Sequence, residues 1–262
     1  MSWIQANGAV LRYELSGRGG PPLVLVHEMG GTLESWDAVA PVLARSRQVL
    51  RYDMRGSGLS EKVRGTLALG TLADDLAALM DRLGIAGPAV VAGCAVGAAV
   101  ALGFTAQYPD RVAGLVAMAP ATGLPPDRQA ATLARADRLD QDGLRAVADL
   151  DSLPTGASPP DPAEQDRCRR LANDPHGVAA LQRMLAGLAM EGDLARIRCP
   201  ALVLAGRRDP YRPPEVVEKV ARAIAGARLE VHDTGHVMPV DTPDLVVEVI
   251  ERFWAEVAAG TV

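Results

Sequence analysis

One stretch constrains the fold of this chain more than any other: Val90-Val91-Ala92-Gly93-Cys94-Ala95-Val96-Gly97-Ala98-Ala99-Val100-Ala101. An apolar run reaches one glycine, and a second glycine four residues later opens a run of small residues. The pattern predicts a buried strand, a tight turn, and a helix packed closely under a sheet. Gly93, Ala95 and Gly97 have the spacing of a G-x-S-x-G nucleophile elbow, which presents one side chain above the end of a strand. Here the side chain at the apex is Ala95, a methyl group. The frame of a nucleophile is present without the nucleophile.

The flanking pattern extends the same architecture. Asn7-Gly8 separates loose alternation over 3–6 and 9–15, a hairpin signal. Apolar runs at 23–26, 48–52, 89–93, 112–118, 201–205 and 228–232 read as strands, most of them buried on both faces. Between them, helices are predicted over 35–45, 71–83, from the elbow to Tyr108-Pro109, over 214–225 and over 242–258. Such alternation implies α/β architecture with a mostly parallel sheet covered on both faces. Residues 122–195 break the rhythm, with no strand signal. Helical spacing recurs at 127–139, 143–150, 163–172 and 177–190, around a proline-rich break at 153–162. The expected organisation is therefore a core of 1–121 and 196–262 and a helical insert at 122–195.

Composition excludes several classes of function. A net charge of −5 over 262 residues, with Lys and Arg scattered near acids, gives no nucleic-acid footprint. The densest basic cluster, Arg167, Arg169 and Arg170, reads as a solvated helix face. No run is apolar over the ~18 residues of a membrane span, so no membrane partner is expected. The three cysteines, Cys94, Cys168 and Cys199, lack C-x-x-C spacing. That fits a reducing, cytoplasmic setting and no disulfide framework. His and acid spacings converge on no metal site, and no dinucleotide fingerprint follows a first strand. No cofactor and no metal are expected. The expected partner is a small-molecule substrate.

In a parallel sheet, ligands bind beyond the carboxyl ends of the strands. Four stretches lie there: the elbow, His27-Glu28-Met29-Gly30-Gly31, Gly206-Arg207-Arg208-Asp209, and Asp233-Thr234-Gly235-His236. With these in order, the chain resembles the α/β-hydrolase superfamily over nearly its whole length. It is most similar to the compact bacterial group of 3-oxoadipate enol-lactonases, esterases and C–C hydrolases. Ser35-Trp36-Asp37, the turn from Asp53 to Ser60, Gln107 to Val112, and Pro243-Asp244 carry that narrower resemblance. It implies an eight-stranded, mostly parallel sheet with a small helical cap at 122–195. It also implies site roles: position 95 for the nucleophile, Asp209 as acid, His236 as base. The resemblance further implies an oxyanion hole formed by the backbone amides of Met29 and Val96, where each donor is worth roughly 3 kcal/mol. The substrate pocket is expected to include Glu28, Met118 and Val237. A small, carboxylate-bearing lactone or ester is the expected substrate class, with a cap arginine as its partner. Asp53 and Arg55 match a structural turn, and His27, His176 and His232 read as structural.

Two residues depart from the family pattern. Glu28 stands where the family has glycine. It is expected to face solvent or pair with a base, and becomes a candidate acid or base if it lines the pocket. Ala95 stands in place of serine. Cys94 does not substitute for it, because the register would then require glycines at Ala92 and Val96. Three accounts remain: a hydrolase with its serine truncated to alanine, a base catalyst that needs no covalent nucleophile, and a ligand-binding protein without chemistry.

Overall fold

The Asn7-Gly8 signal closes a two-residue hairpin between Ser2–Ala6 (β1) and Ala9–Ser16 (β2), with Ala6 opposite Ala9. Both turn residues adopt positive φ, 47° at Asn7 and 71° at Gly8, as this turn type requires. The structure is a computed structural model that describes residues 2–143 and 173–261.

The remaining strands are Leu23–Val26 (β3), Val49–Tyr52 (β4), Ala89–Cys94 (β5), Val112–Met118 (β6), Ala201–Gly206 (β7) and Arg228–His232 (β8). Among the described residues they form an eight-stranded sheet in the order β1-β2-β4-β3-β5-β6-β7-β8. Pairing is antiparallel from β1 to β4 and parallel from there on. The chain runs outward from β3 to β4 and then crosses back to β5, so strand order reverses between β3 and β5. A crevice opens at such a reversal, and the His27 turn and the elbow both emerge at it.

Alternate residues of the central strands feed two apolar layers. Val24, Val26, Val91, Leu115 and Val203 pack with Leu72, Leu76 and Met80 of Leu69–Arg82 (α2) and with Val100 and Phe104 of Val96–Gln107 (α3). Leu23, Leu25, Val90, Val116 and Leu202 pack on the opposite face with Val249, Ile250 and Phe253 of Pro243–Ala259. Burial on both faces removes the alternation these strands would otherwise show.

The helix expected over 35–45 is not continuous. A 3₁₀ turn at Leu33–Trp36 is followed by the short helix Ala40–Leu43 (α1). Pro41 has no N–H to donate to the carbonyl of Asp37, so a helix cannot run through it. The helix expected over 177–190 spans Pro175–Ala186 and ends at the C-capping Gly187; a separate short helix, Glu191–Leu194, follows beyond the expected bounds. Other helices lie close to their expected bounds, including Pro214–Arg222.

Within 122–195, Pro126–Asp142 (α4) packs against Pro175–Ala186 (α5) through Ala136, Leu139 and Ala179. Arg183 reaches Asp137 at 2.7 Å and Asp140 at 2.6 Å, and His176 Nδ1 meets Asp140 at 2.7 Å. Asn173 ties this region to the core: its amide donates to the Gly30 carbonyl at 2.8 Å and its oxygen accepts from Gly58 N at 2.9 Å. The helices expected at 143–150 and 163–172, the break at 153–162, Cys168, and Arg167, Arg169 and Arg170 lie outside the described residues. Among the described residues, no helix is long and apolar enough to cross a membrane.

Candidate active site

Ala95 adopts φ 52° and ψ −113°, a conformation L-residues rarely hold. The surrounding bonds fix it. Its N–H donates to Met118 O at 2.9 Å, and its carbonyl accepts from Ala99 N at 3.2 Å and Ala121 N at 3.1 Å. The two elbow glycines are required sterically. A Cβ on Gly93 would lie 2.3 Å from the Gly97 carbonyl oxygen. One on Gly97 would lie 2.3 Å from the His27 oxygen and 2.4 Å from that of Val26. The sharp turn therefore rests on close approach of α3 to the end of β3, which only glycine permits.

The loops after β7 and β8 are stitched together beyond the strands. Arg207 N donates to His232 O at 2.9 Å and Arg208 N to Thr234 O at 3.0 Å. This pairing brings Asp209 beside His236, whose Nδ1–H donates to Asp209 Oδ2 at 2.7 Å. Asp209 Oδ1 accepts from Tyr211 N at 2.8 Å and Arg212 N at 3.0 Å. Burial pushes the Asp209 carboxyl up, but the His236 hydrogen bond and the two amides outweigh it and hold the group below the ordinary carboxylate range. The Asp209 side chain is fully covered, while that of His236 keeps 23% exposure towards the cavity. The Tyr211 ring meets the imidazole in a T-shaped arrangement, with ring centroids 5.1 Å apart and planes at 63°.

A cavity of about 620 Å³ joins these parts, lined by Glu28, Met29, Ala95, Val96, Ala121, Leu124, Arg128, Ala131, Thr132, Arg135, Leu185, Pro210, Tyr211, Arg212 and His236. Met29, Ala95 and Val96 share its wall. Val96 is the first residue of α3, whose N-cap, Ala95, has no side-chain oxygen to engage the first-turn amides. The positive end of the helix thus faces the cavity.

Glu28 does not face solvent: it is 2% exposed and lines the cavity. Ser35 Oγ donates to its Oε1 at 3.0 Å. A Cβ on Gly31 would sit 2.2 Å from that oxygen, so the carboxylate folds back over a glycine. Met118 and Val237, expected in the pocket, do not line it. Met118 is the last residue of β6, and strand alternation turns it into the layer under the helix Pro243–Ala259. Val237 is drawn aside by its N–H, which donates to Asp241 Oδ2 at 3.1 Å.

His27 ties the turn after β3 to the turn after β4. Met54 N donates to its Nε2 at 3.0 Å, which leaves Nδ1 to donate to Glu28 O at 2.7 Å. Asp53 and Arg55 take separate partners. Asp53 accepts from Leu33 N and Leu59 N, each at 2.8 Å, and pairs with Arg12 at 3.2 Å. Arg55 pairs with Asp75 at 2.5 Å. Burial, reinforced by Glu28, raises the Cys94 thiol well above its ordinary value, and Cys94 Sγ points to the His236 carbonyl at 3.4 Å. His232 meets Glu230 at 3.0 Å.

Sequence reading missed Tyr211, Arg212, Arg128, Arg135, Thr132 and Leu185. Tyr211 and Arg212 carry one available signal, since they directly follow Asp209-Pro210. Positions 128, 131, 132 and 135 share one face of α4 by their i, i+3, i+4, i+7 spacing, but spacing does not say where that face points. Among the described residues, no three His, Cys, Asp or Glu side chains gather as a metal site.

A mostly parallel eight-stranded sheet with a sharp strand-turn-helix elbow after β5 defines the class: the chain belongs to the α/β hydrolase fold family, whose model matches residues 21–243. Among solved structures it is similar to a malate-bound thermophilic esterase from Thermogutta terrifontis, with TM-score 0.88 and 30% identity over 98% of this chain and 100% of that one. It is also similar to the enol-lactonase from Burkholderia xenovorans LB400, with TM-score 0.86 and 27% identity over 97% of this chain and 100% of that one. A stretch of 118 residues is 42% identical to the dihydrolipoyllysine-residue acetyltransferase component of the acetoin cleaving system of Pseudomonas putida. That match spans 45% of this chain and 32% of that protein.

Proposed function

We propose that this chain acts on a small ester- or lactone-type carbonyl compound, with His236 as general base and no covalent intermediate at residue 95. The observation that carries this reading is the dyad. His236 and Asp209 are aligned at 2.7 Å and open onto a cavity whose elbow apex is a methyl group. Asp209 orients the imidazole so that Nε2 faces the cavity, and stabilises the charged ring once it takes a proton. The space a serine hydroxyl would fill over Ala95 admits a water. His236 Nε2 removes a proton from that water as its oxygen bonds to the substrate carbonyl carbon. The oxygen of the former carbonyl becomes an oxyanion, facing the amides of Met29 and Val96. The tetrahedral species then collapses, and the leaving oxygen takes the proton back from the imidazolium. Base assistance of this kind contributes about 10²–10⁴-fold. The same base serves proton abstraction beside a carbonyl, with the enolate oxygen in the same hole.

In this reading 1–121 and 196–262 form the core, and 122–195 forms a cap that closes the cavity through α4 and α5. Three described arginines, Arg128, Arg135 and Arg212, line that cavity, two of them from the cap. Among the described residues, both cysteines, Cys94 and Cys199, are free, which suits the reducing cytosol. The test is turnover of a panel of small activated esters and lactones by the unaltered chain and by His236→Gln. The expected result is turnover that His236→Gln abolishes. An equal rate in the variant overturns the base assignment. Tight binding with every ligand recovered unchanged would make the chain a binding protein.

A further inference from the structure

Arg212 is the buried cation of this cavity. It is 7% exposed, and it lines the cavity with Ala95 and His236. Its backbone N–H is spent on Asp209 Oδ1. Among the described residues, no carboxylate pairs with its guanidinium and no side-chain hydrogen bond reaches it. Asp209 attracts it only at a distance, because Oδ2 is taken by His236 and Oδ1 by two amides. The other cavity carboxylate, Glu28, is held back by Ser35 Oγ. Burial holds Arg212 below the ordinary arginine value; Asp209 opposes that shift, and Arg128, from α4, adds to it by like-charge repulsion. Two guanidinium groups thus face one space from the core and from α4.

A buried guanidinium without an ion-pair partner costs stability until an anion meets its planar fork of donors. The other three buried arginines among the described residues each have a carboxylate partner, the loosest being Arg47 at 3.7 Å from Glu251. Arg12 is paired with Glu34 and Asp53, and Arg51 with Glu14 and Asp37. We propose that Arg212 is the anion-binding residue of the cavity, clamping with Arg128 a carboxylate that the substrate carries away from its reacting carbonyl. This rests on the cavity being the substrate site, and it names the class of substrate: a carbonyl compound that is also a carboxylic acid. The planar, bidentate match of guanidinium to carboxylate favours that anion. The anchor lies on the acid loop, so the loop that orients His236 also positions the substrate.

Calorimetric titration with hexanoate, hexanamide and inorganic phosphate tests this without any turnover. The chain is expected to bind hexanoate at least about tenfold more tightly than hexanamide. Arg212→Gln should erase that preference, Arg212→Lys should keep part of it, and Arg128→Gln should weaken it. Without ligand, Arg212→Gln should melt no lower than the unaltered chain, an outcome a merely structural arginine would not give. Equal binding of acid and amide, or no binding of hexanoate, overturns the proposal. Phosphate binding as tightly as hexanoate would assign the subsite to a phosphoryl group instead. His236→Gln keeps the acid preference if the subsite is real. Hexanoate binding that survives alongside persisting turnover in His236→Gln would sink the base assignment alone.

Discussion

The α-carbon of Gly97 faces the carbonyl oxygen of His27 so closely that a single added methyl would stand 2.3 Å from it. One contact thereby fixes two segments that line the cavity to each other, the elbow after β5 and the turn after β3 that carries Glu28 and Met29. The register of β3 against β5, with Val26 opposite Gly93, sets the approach.

Gly97→Ala is accordingly expected to destabilise the chain by about 3 kcal/mol, as overpacking against backbone does. Gly192→Ala is the control. Nothing lies within 4 Å of its added Cβ, so it should gain up to about 1 kcal/mol from helix propensity. Urea unfolding of both variants measures the difference. Comparable stability of the two would mean that the elbow relaxes freely.

Ala95→Ser places a hydroxyl at the strained apex, beside His236. The expected outcome is a burst of p-nitrophenol from an activated ester, followed by a slower steady state, with an acyl group on residue 95 seen by intact mass. A folded Ala95→Ser that shows neither would mean that the dyad and the apex are not mutually placed for acyl transfer.

Acid stability should report Asp209. Its folded carboxyl lies below the unfolded value of about 3.9. Below that value the unfolded chain binds the proton first, so stability rises with pH across this window. The contribution is complete above about pH 4 and is lost as pH falls through the folded value. Melting temperature against pH from 2 to 6 should therefore fall less steeply at the acid end in Asp209→Asn. Parallel curves would show that Asp209 has the same affinity for a proton folded and unfolded.

Asp53→Ala removes a fully buried carboxylate that serves two backbone amides and Arg12. It leaves Arg12 short of one buried partner. A loss of about 3–5 kcal/mol is expected, as when one member of a buried pair is deleted. Asp53→Asn, which keeps an acceptor, should lose less. Denaturant titration with far-UV circular dichroism distinguishes the two.

Cys94 should resist iodoacetamide at pH 8 in the folded chain, because it is buried and its thiol is raised. Peptide mapping should find it labelled only after unfolding. Rapid labelling of the folded chain would reopen Cys94 as a nucleophile.

Local sequence determined much of this protein. Asn7-Gly8 dictated a hairpin because both residues accept positive φ. Continuous apolar runs dictated buried strands, and the glycine spacing at 93 and 97 dictated a sharp turn because no side chain fits there. The order of the motifs placed Asp209 and His236 at neighbouring strand ends, and the structure brings them to 2.7 Å. Tertiary packing decided what periodicity leaves open, which is the direction each face points. It turned Met118 into the core by strand alternation and folded Glu28 inward over Gly31. It also broke the helix over 35–45 where Pro41 could not donate. Above all it set Arg212 and Arg128, 84 positions apart in the chain, around one cavity. A charge reads the same in sequence whether water or a substrate will meet it; only burial without a partner tells the two apart.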